Sequence, residues 1–408
     1  MTLTTRGLMG PLLPLWLAGV FAAVCGVIAI GTYVRPNAYR VLDWAINYAD
    51  GFVRRGLFGE AMLAVEGATG LAILHQVAAL QVALYAAFLA GVLMLVRRAA
   101  SPAGAVLLLY SPALLLFPVA SWHSAGRKEV LFLAAFAWLC AALARPGRDG
   151  RLPLTVFLAF SPLWVLAHEA MFLFMAWAFC LFLVLGGGVR DALRLAPVVV
   201  LPAAALAAAV LVPTDRATVV AVCAALEGRL GSPPLERLCA SGDSAVIWLA
   251  NDAATGIAVV EKELGAMLAS LAPVLLLSGL AFLPLRPALA ALTTGQRQRL
   301  ALGAALAVAA SLPLFVVAVD WGRWIHVHAT CLALVALTLI ARGPDRAKDW
   351  TEDRAKARVN NGAEDRGETP ALPVWMVAVY ALGWSLQYKG LLVGGGLPVA
   401  LGLRLAGP

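Results

Sequence analysis

The residues with the greatest capacity for chemistry lie between two long apolar stretches, in the segment from Asn47 to Glu60. The segment reads NYADGFVRRGLFGE and combines carboxylates with an arginine doublet, Arg54 and Arg55, among glycines and aromatic residues. Such charges are costly inside a bilayer, so we predict that the segment lies at a membrane surface, where arginine binds phosphate oxygens and aromatic rings occupy headgroup depth. The alternative is an amphipathic connector that only lies on the membrane.

Charged and imidazole side chains recur at the predicted ends of the later apolar stretches, and sugar transfer uses this combination. A carboxylate removes the proton from an acceptor hydroxyl, while cations stabilise a departing phosphate. Arginine binds phosphate through paired hydrogen bonds, and lysine acts as a point charge. The predicted catalytic residues are Asp43, Asp50, Glu169 and Asp320. The predicted substrate-binding residues are Arg40, Arg54, Arg55, His123, Arg127, Lys128, His168, Arg323 and His326.

Each cluster also has a purely structural interpretation. Arg127, Lys128 and Glu129 could form a helix start whose long side chains reach the interface. His168 and Glu169 could be packing plus a helix cap. Five polar residues of the predicted long loop are expected to form solvated surface and not part of a site. They are Asp243, Asn251, Asp252, Glu261 and Glu263.

The histidines of these clusters, with Glu169 or Asp320, are residue types that bind zinc or a harder divalent ion. No His-x-x-x-His or Cys-rich spacing occurs among them. The sequence therefore predicts neither metal ligands nor a cofactor, with a divalent metal as the alternative.

The segment Asp320-Trp-Gly-Arg-Trp is the hardest of these clusters to explain by packing alone. If it continues helically from the apolar stretch before it, Asp320 and Arg323 share one face. Trp321 and Trp324 then suit the interfacial belt. The segment fits either an ion pair or a substrate clamp.

Composition sets the architecture in which these clusters must be positioned. The chain has 408 residues, of which 62% are hydrophobic and 13% are charged, whereas soluble domains are about 45–50% apolar and about 25% charged. Apolar runs recur along almost its whole length, which predicts a single all-α polytopic membrane domain over residues 1–408 with about 11 or 12 transmembrane helices. The net charge of +8 is spread between these runs, so it favours anionic lipid and topology over nucleic acid.

Alternation of the basic loops predicts the topology. Basic residues concentrate in the loops on the side of the amino terminus, which places that side in the cytoplasm and predicts a retained first helix. The polar segment 32–67 is then the first outer loop and 213–264 is a long outer loop. The charged segment 342–370 is predicted to be a flexible cytoplasmic loop. The twelfth span depends on the Gly-rich tail after Lys389, residues 390–408.

Cysteine usage is consistent with an outer long loop. Cys223 and Cys239 both fall in it, and a disulfide between them would contribute roughly 3 kcal/mol in an oxidising compartment; the alternative is two unpaired thiols. The other cysteines fall inside predicted spans, where they act as small apolar residues.

With many spans, an acidic first outer loop and outer Arg, His and Asp clusters, the chain resembles polyprenyl-phosphate-dependent glycosyltransferases of the GT-C type. It also resembles the integral-membrane polysaccharide polymerases and O-antigen ligases of bacterial envelopes. The resemblance is architectural and covers most of the chain. It implies that Asp50 or Asp43 is the base. It also implies that an undecaprenyl-linked diphosphate is held by Arg54, Arg55, Arg127 and Arg323. The chain lacks the large carboxy-terminal outer domain of typical GT-C members, which favours the polymerase class.

The predicted function is therefore a glycosyltransferase or glycan polymerase that uses a polyprenyl-(di)phosphate-linked sugar for cell-envelope polysaccharide synthesis. It would act at the outer face of a bacterial inner membrane, on a polyprenyl-linked glycan and an acceptor glycan, beside other proteins of the same synthesis. The alternative is a lipid-linked sugar flippase or another transporter. The span interiors carry almost no charge, which disfavours transport. A third possibility is a non-catalytic membrane scaffold.

Overall fold

The protein is built almost entirely from α-helices, as its composition predicts. The computed structural model describes residues 2–3, 12–98, 107–111, 113–121, 124–145, 150–186, 193–239, 244–290, 292–342 and 372–382. Residues 343–371, which include nearly all of the predicted cytoplasmic loop 342–370, and the tail after Leu382 lie outside the described residues.

The first half of the chain contains the helices that carry the arginine doublet and its neighbours. They are α1 (Leu13–Ala29), which continues as a π-helix (Ile30–Val34), α2 (Ala38–Ala45), α3 (Leu57–Thr69), α4 (Ile73–Arg98), α5 (Phe117–Ala120), α6 (Glu129–Leu143), α7 (Arg151–Ala167), α8 (Met171–Phe174) and α9 (Ala176–Val184).

The second half contains three helices of more than 20 residues and several shorter elements. Its helices are α10 (Ala196–Leu211), α11 (Arg216–Ala224), α12 (Pro233–Cys239), a 3₁₀ turn (Ile247–Ala250), α13 (Ala253–Leu280), a 3₁₀ turn (Leu283–Leu285), α14 (Arg286–Ala290), α15 (Thr294–Val317), α16 (Trp321–Arg342) and α17 (Val374–Leu382). The two-residue strands β1 (Thr2–Leu3) and β2 (Leu372–Pro373) pair antiparallel, with Thr2 opposite Pro373.

Among the described residues, four helical stretches are long and apolar enough to cross a bilayer: Leu13–Val34, Ile73–Arg98, Thr294–Val317 and Trp321–Arg342. α10 and α11 qualify together as a fifth, bent by 107°. Shorter apolar helices cover Glu129–Leu143, Arg151–Ala167, Met171–Val184 and Leu275–Leu285. The all-α polytopic architecture is confirmed. The count of about 11 or 12 spans includes helices shorter than a full crossing and stays a prediction.

Helix α16 is the centre of the bundle. In its most apolar stretch 78% of the residues are buried inside the protein, against 22% for α15. It packs against α4, α6, α9 and α13, while α7 packs against α10 and α13 against α15. The amino-terminal turn of α16 therefore meets side chains delivered by several other helices.

The two predicted outer loops are mostly helical. Segment 32–67 holds α2 and most of α3, and segment 213–264 holds α11, α12 and the first turns of α13. Side chains cap these helices: Asn37 accepts from the Arg40 N–H at 2.9 Å, and Asp252 accepts from the Thr255 N–H at 2.8 Å. Cys223 and Cys239 form a disulfide, as predicted, with their Cα atoms 5.7 Å apart.

The crossing of α13 over α15 depends on a glycine. A Cβ added at Gly256 would lie 2.4 Å from the carbonyl oxygen of Val317, whereas one added at Gly265 on the same helix would meet nothing within 4 Å. We expect Gly256→Ala to lower the stability of the protein in detergent by about 1–3 kcal/mol, because backbone atoms must separate. Gly265→Ala is the matched control and is expected to be neutral or slightly stabilising. Thermal unfolding of both variants measures the difference. Equal unfolding midpoints for Gly256→Ala and Gly265→Ala would contradict the close approach of Gly256 to Val317.

Candidate functional site

Side chains from distant parts of the chain line one large cavity at an end of the bundle. The cavity has a volume of about 640 Å³. Of the predicted catalytic and substrate-binding residues, those that line it are Arg54, Arg55, Arg127, His168, Glu169, Asp320 and Arg323. The fold thus brings together residues from segment 32–67, from the start of α6, from the end of α7 and from the start of α16.

Arg55 connects this cavity to the buried charges behind it. It is the one non-glycine residue with positive φ in the described chain, at 70°. Its guanidinium forms a bidentate pair with Glu169, with Nε donating to Oε2 at 2.8 Å, and lies 3.8 Å from Asp43. Arg54 and Arg55, which cannot both point one way in regular structure, both line the cavity because the chain leaves regular structure here.

Asp43 lies behind the cavity wall and is fully buried. Its Oδ1 is 3.8 Å from the Lys128 ammonium, which also donates to the Arg55 carbonyl at 3.2 Å. Burial opposes the charge, but Lys128, Arg127 and Arg55 outweigh it and hold the pKa of Asp43 below its usual range. Burial lowers the pKa of Lys128 to about 8 although Asp43 opposes this. Neither residue lines the cavity, so each acts on it through its neighbours.

The pair His168 and Glu169 follows the end of α7. Burial raises the pKa of Glu169, but its bond with Arg55 prevails and keeps that pKa well below the usual value. The His168 Nδ1 accepts the backbone N–H of Ala170 at 3.3 Å, so in the neutral ring the proton sits on Nε2. Burial and then Arg55 hold the pKa of His168 well below 6.5, which keeps the ring uncharged at neutral pH.

Asp320 and Arg323 form a second ion pair at the cavity, with 2.7 Å between Oδ2 and NH2. The predicted helical continuation from α15 is wrong, and Asp320 meets Arg323 instead as the residue directly before α16. The helix ends at Val317 and a new one begins at Trp321, and the Asp320 carbonyl accepts the N–H groups of Arg323 and Trp324 in the first turn of α16. Arg323 also lies 3.0 Å from Glu129, the first residue of α6, and therefore ties two helix starts together.

Arg54 holds a segment that covers the cavity. Its NH2 donates to the carbonyls of Trp248, Leu249 and Asn251 at 2.9, 3.1 and 3.0 Å. These carbonyls lie in and directly after the 3₁₀ turn Ile247–Ala250. We call residues 247–252 the roof, because all of them except Ile247 line the cavity. Arg54 was predicted to bind substrate; in the structure this part of its guanidinium is committed to the roof.

The roof was missed by the sequence analysis. Asn251 and Asp252 were predicted to be solvated surface, yet both line the cavity. Trp248 Nε1 also donates to the Tyr39 hydroxyl at 2.6 Å, which connects the roof to α2. Aspartate at a helix N-cap occurs twice in this part of the chain, in Asp215-x-x-Thr218 and Asp252-x-x-Thr255. These patterns indicate helix starts, so they could have predicted that the segment is folded and not a solvated loop.

Other predicted site residues lie away from the cavity. Asp50 is exposed and accepts a bond from Thr218 at 3.3 Å. Arg40 is buried against the backbone of Gly31. His326 does not line the cavity. Its Nδ1 donates to the Ala113 carbonyl at 2.9 Å, and its ring stacks on Phe117. His123 lies outside the described residues.

The other side of the cavity is apolar. It is formed by the last turn of α10, the first turns of α13 and the last turn of α15, with Val210, Val259 and Val317 among the lining residues. Val210 and Val212 are 65% and 39% exposed. The cavity therefore has a charged end and an apolar wall that reaches the exposed surface of the bundle at Val210 and Val212.

The sequence left a divalent metal as an alternative at this site. In the part of the chain that the structure describes, no three His, Cys, Asp or Glu side chains are grouped so that they could hold a metal ion. His328, for example, bonds the Trp177 indole at 2.9 Å and the Ser311 hydroxyl at 2.7 Å.

Residues 15–255 match the family described as Uncharacterised membrane protein Rv1490. This match covers more than half of the chain. The protein belongs to this family. Searches of curated proteins and of solved structures gave no match. The Rv1490 family region includes Arg55, Glu169 and the roof, whereas Asp320 and Arg323 lie beyond its end.

Acid should destabilise this Rv1490 family member through His168. The folded pKa of His168 lies below the unfolded value of about 6.5, so below that pH the unfolded chain binds a proton that the folded chain does not. Stability should fall as the pH drops from 7 to 5, by up to about 1.4 kcal/mol per pH unit from this group. His168→Gln should flatten that decline in thermal unfolding curves. The control is His75→Gln, at an exposed position; an unchanged decline in His168→Gln would contradict the assignment.

Proposed function

We propose that this protein is a membrane glycosyltransferase or glycan polymerase that uses a polyprenyl-(di)phosphate-linked sugar. The observation that carries the proposal is the two-sided cavity, with guanidinium groups at one end and an apolar wall at the other. A lipid-linked anionic sugar has the same two parts. Its phosphate would meet the arginines while its isoprenoid chain follows the wall formed by α10, α13 and α15.

The charge distribution supports an anionic ligand. The cavity is lined by Arg54, Arg55, Arg127 and Arg323, of which Arg55 and Arg323 pair with carboxylates. Arg54 and Arg127 donate to backbone carbonyls, and no described carboxylate forms an ion pair with either. Guanidinium groups that form no ion pair with a carboxylate in a partly buried site favour phosphate, which arginine binds with two parallel hydrogen bonds.

Glu169, Asp252 and Asp320 are the carboxylates that line the cavity, and Asp252 caps α13 through its Oδ1. Both oxygens of Glu169 are bound by Arg55, whereas Arg323 binds Oδ2 of Asp320. Asp320 is therefore the better candidate to take the proton from an acceptor hydroxyl as the sugar leaves its phosphate. Asp43 would act as a positioning residue, because it reaches the cavity only through Arg55 and Lys128.

The disulfide supports an extracytoplasmic location for the cavity. Cys223 and Cys239 lie in the segment that leads to the roof, and disulfides persist in oxidising compartments. We therefore propose that the cavity faces the extracytoplasmic side of a bacterial inner membrane. Envelope-polysaccharide proteins and an acceptor glycan are the corresponding partners.

Lipid-linked glycan analysis in cells that lack the protein tests this proposal. Accumulation of a polyprenyl-linked glycan on the outer leaflet, reversed by wild type but not by Asp320→Asn, is the expected result. Accumulation of the same lipid on the cytoplasmic leaflet would indicate a flippase instead. The ion pairs lie at helix ends on one side of the bundle, which favours surface chemistry over transport through the midplane.

A further inference from the structure

The roof contributes two side chains to the cavity that the proposed chemistry does not use. They are Trp248 and Asn251, and both residues line the cavity. Trp248 is half-buried, and its indole Nε1 donates to the Tyr39 hydroxyl at 2.6 Å. The side-chain amide of Asn251 forms no hydrogen bond within the part of the chain that the structure describes. An aromatic ring and an amide are therefore placed side by side where a ligand would lie.

Hydrogen bonds to other segments hold this part of the roof in place. The Arg54 guanidinium donates to the carbonyls of Trp248 and Asn251 at 2.9 and 3.0 Å, which restrains the backbone at both residues. The bond to Tyr39 restrains the ring of Trp248. Groups that are already held in position lose little conformational entropy when a ligand binds. The roof is therefore organised for binding before a ligand arrives.

The chemistry of these two side chains fits the sugar of a lipid-linked sugar better than its other two parts. An isoprenoid chain leaves an amide without a partner, and a phosphate has acceptor oxygens only. A sugar hydroxyl both donates and accepts hydrogen bonds, and an amide supplies two donors and an acceptor. The polarised C–H groups of a sugar ring are attracted to the negative face of an aromatic ring. Trp248 and Asn251 can therefore bind one sugar ring together.

The next residue of the roof disfavours a negatively charged group at this place. Asp252 also lines the cavity, and its Oδ1 accepts the backbone N–H and the hydroxyl of Thr255 at 2.8 and 2.7 Å. These bonds from Thr255 hold the pKa of Asp252 below its usual value, so the carboxylate is charged at neutral pH. Its charge repels a phosphate or the carboxylate of an acidic sugar beside Asn251.

We propose that the roof recognises the sugar of the lipid-linked substrate, and that this sugar is neutral. The Trp248 ring lies against one face of the sugar, and the Asn251 amide exchanges hydrogen bonds with its hydroxyl groups. The inference rests on the proposed function, in which the arginines take the phosphate and the apolar wall takes the isoprenoid chain. A site built to bond hydroxyl groups discriminates against a ligand that lacks them. Trp248 and Asn251 are therefore specificity-determining residues.

Lipid binding by the purified full-length protein in nanodiscs tests the inference. The probes are undecaprenyl phosphate alone and undecaprenyl phosphate that carries glucose, galactose, mannose, arabinose or glucuronic acid. Microscale thermophoresis measures the Kd of each. Wild type is expected to bind at least one neutral glycolipid more tightly than undecaprenyl phosphate. Asn251→Ala and Trp248→Leu should each reduce this preference by about 3–10-fold and leave the Kd of undecaprenyl phosphate unchanged.

Trp138→Leu is the matched control. Trp138 also donates through its indole, to the Ala87 carbonyl at 2.9 Å, but it does not line the cavity, so its variant should keep the preference of wild type. Asn251→Ala removes an amide that no described residue bonds, so its thermal unfolding midpoint should equal that of wild type.

The outcomes separate this inference from the proposed function. A wild type that binds undecaprenyl phosphate without preferring any neutral sugar would overturn the inference alone. The same holds for tightest binding of the glucuronic acid lipid, for an unchanged preference in Asn251→Ala and Trp248→Leu, or for an equal loss in Trp138→Leu. If wild type binds none of these lipids, the proposed function is refuted and the inference fails with it.

Discussion

The Arg55→Ala variant is expected to lose about 3–5 kcal/mol of folding stability and all transfer activity. Arg55 binds both oxygens of Glu169 and lies 3.8 Å from the fully buried Asp43. Removing the guanidinium leaves Glu169 without its main partner and takes one of the cations away from the buried Asp43. Arginine and alanine both carry a Cβ at φ of 70°, so the backbone strain is common to both and the difference reports the guanidinium.

Thermal unfolding in detergent measures the stability loss, and Arg229→Ala provides its control. Arg229 also pairs with a glutamate, Glu66, but its side chain is 37% exposed. Solvent screening limits the value of such a pair to at most about 1 kcal/mol. Arg55→Lys keeps the charge without the paired hydrogen bonds and should fall between wild type and Arg55→Ala. Equal losses in Arg55→Ala and Arg229→Ala would contradict the central role of Arg55.

Composition and residue type predicted the architecture and much of the cavity lining. An apolar fraction of 62% leaves few alternatives to a polytopic helical bundle. Charges that cannot enter hydrocarbon collect at helix ends, and the helices of a bundle end together. For this reason clusters as far apart in sequence as Arg55, Glu169 and Arg323 were predicted to share a site, and they line one cavity.

The partners of each charge could not be predicted, because they depend on packing between distant segments. Arg55 and Glu169 are 114 residues apart, and nothing local indicates that Glu129 will meet Arg323 rather than its neighbour Lys128. Asp43 and Asp50 looked equivalent in one polar segment. The short helix α2, capped by Asn37, turns Asp43 inward, while Asp50 falls in the exposed turn that follows.

The roof was not predicted from the sequence for a different reason. A long polar segment between apolar runs resembles a solvated loop, yet Arg54 binds it at the cavity and a disulfide closes the chain directly before it. The cysteine pair was recognised from the sequence, but its consequence was not. Cross-linking residues 223 and 239 restricts the chain on both sides, which favours an ordered cover.

Asp320→Asn is expected to reduce turnover by about 10²–10⁴-fold, the contribution typical of a positioned general base. Asn keeps the size of the side chain and the backbone carbonyl that begins α16. Binding of the lipid-linked donor should persist, because Arg54, Arg55 and Arg127 still line the cavity. The expected signature is therefore a low kcat with a nearly unchanged KM, measured with purified protein and a polyprenyl-linked donor.

Asp50→Asn is the matched control for this loss. Asp50 is an aspartate of the first polar segment that the resemblance favoured as base, but it is exposed and does not line the cavity. Its variant should retain the activity of wild type. Asp43→Asn should lose both activity and stability, since the buried Lys128 then lacks its ion-pair partner and Arg55 keeps only Glu169. Full activity in Asp320→Asn together with loss in Asp50→Asn would move the base out of the cavity and refute the site.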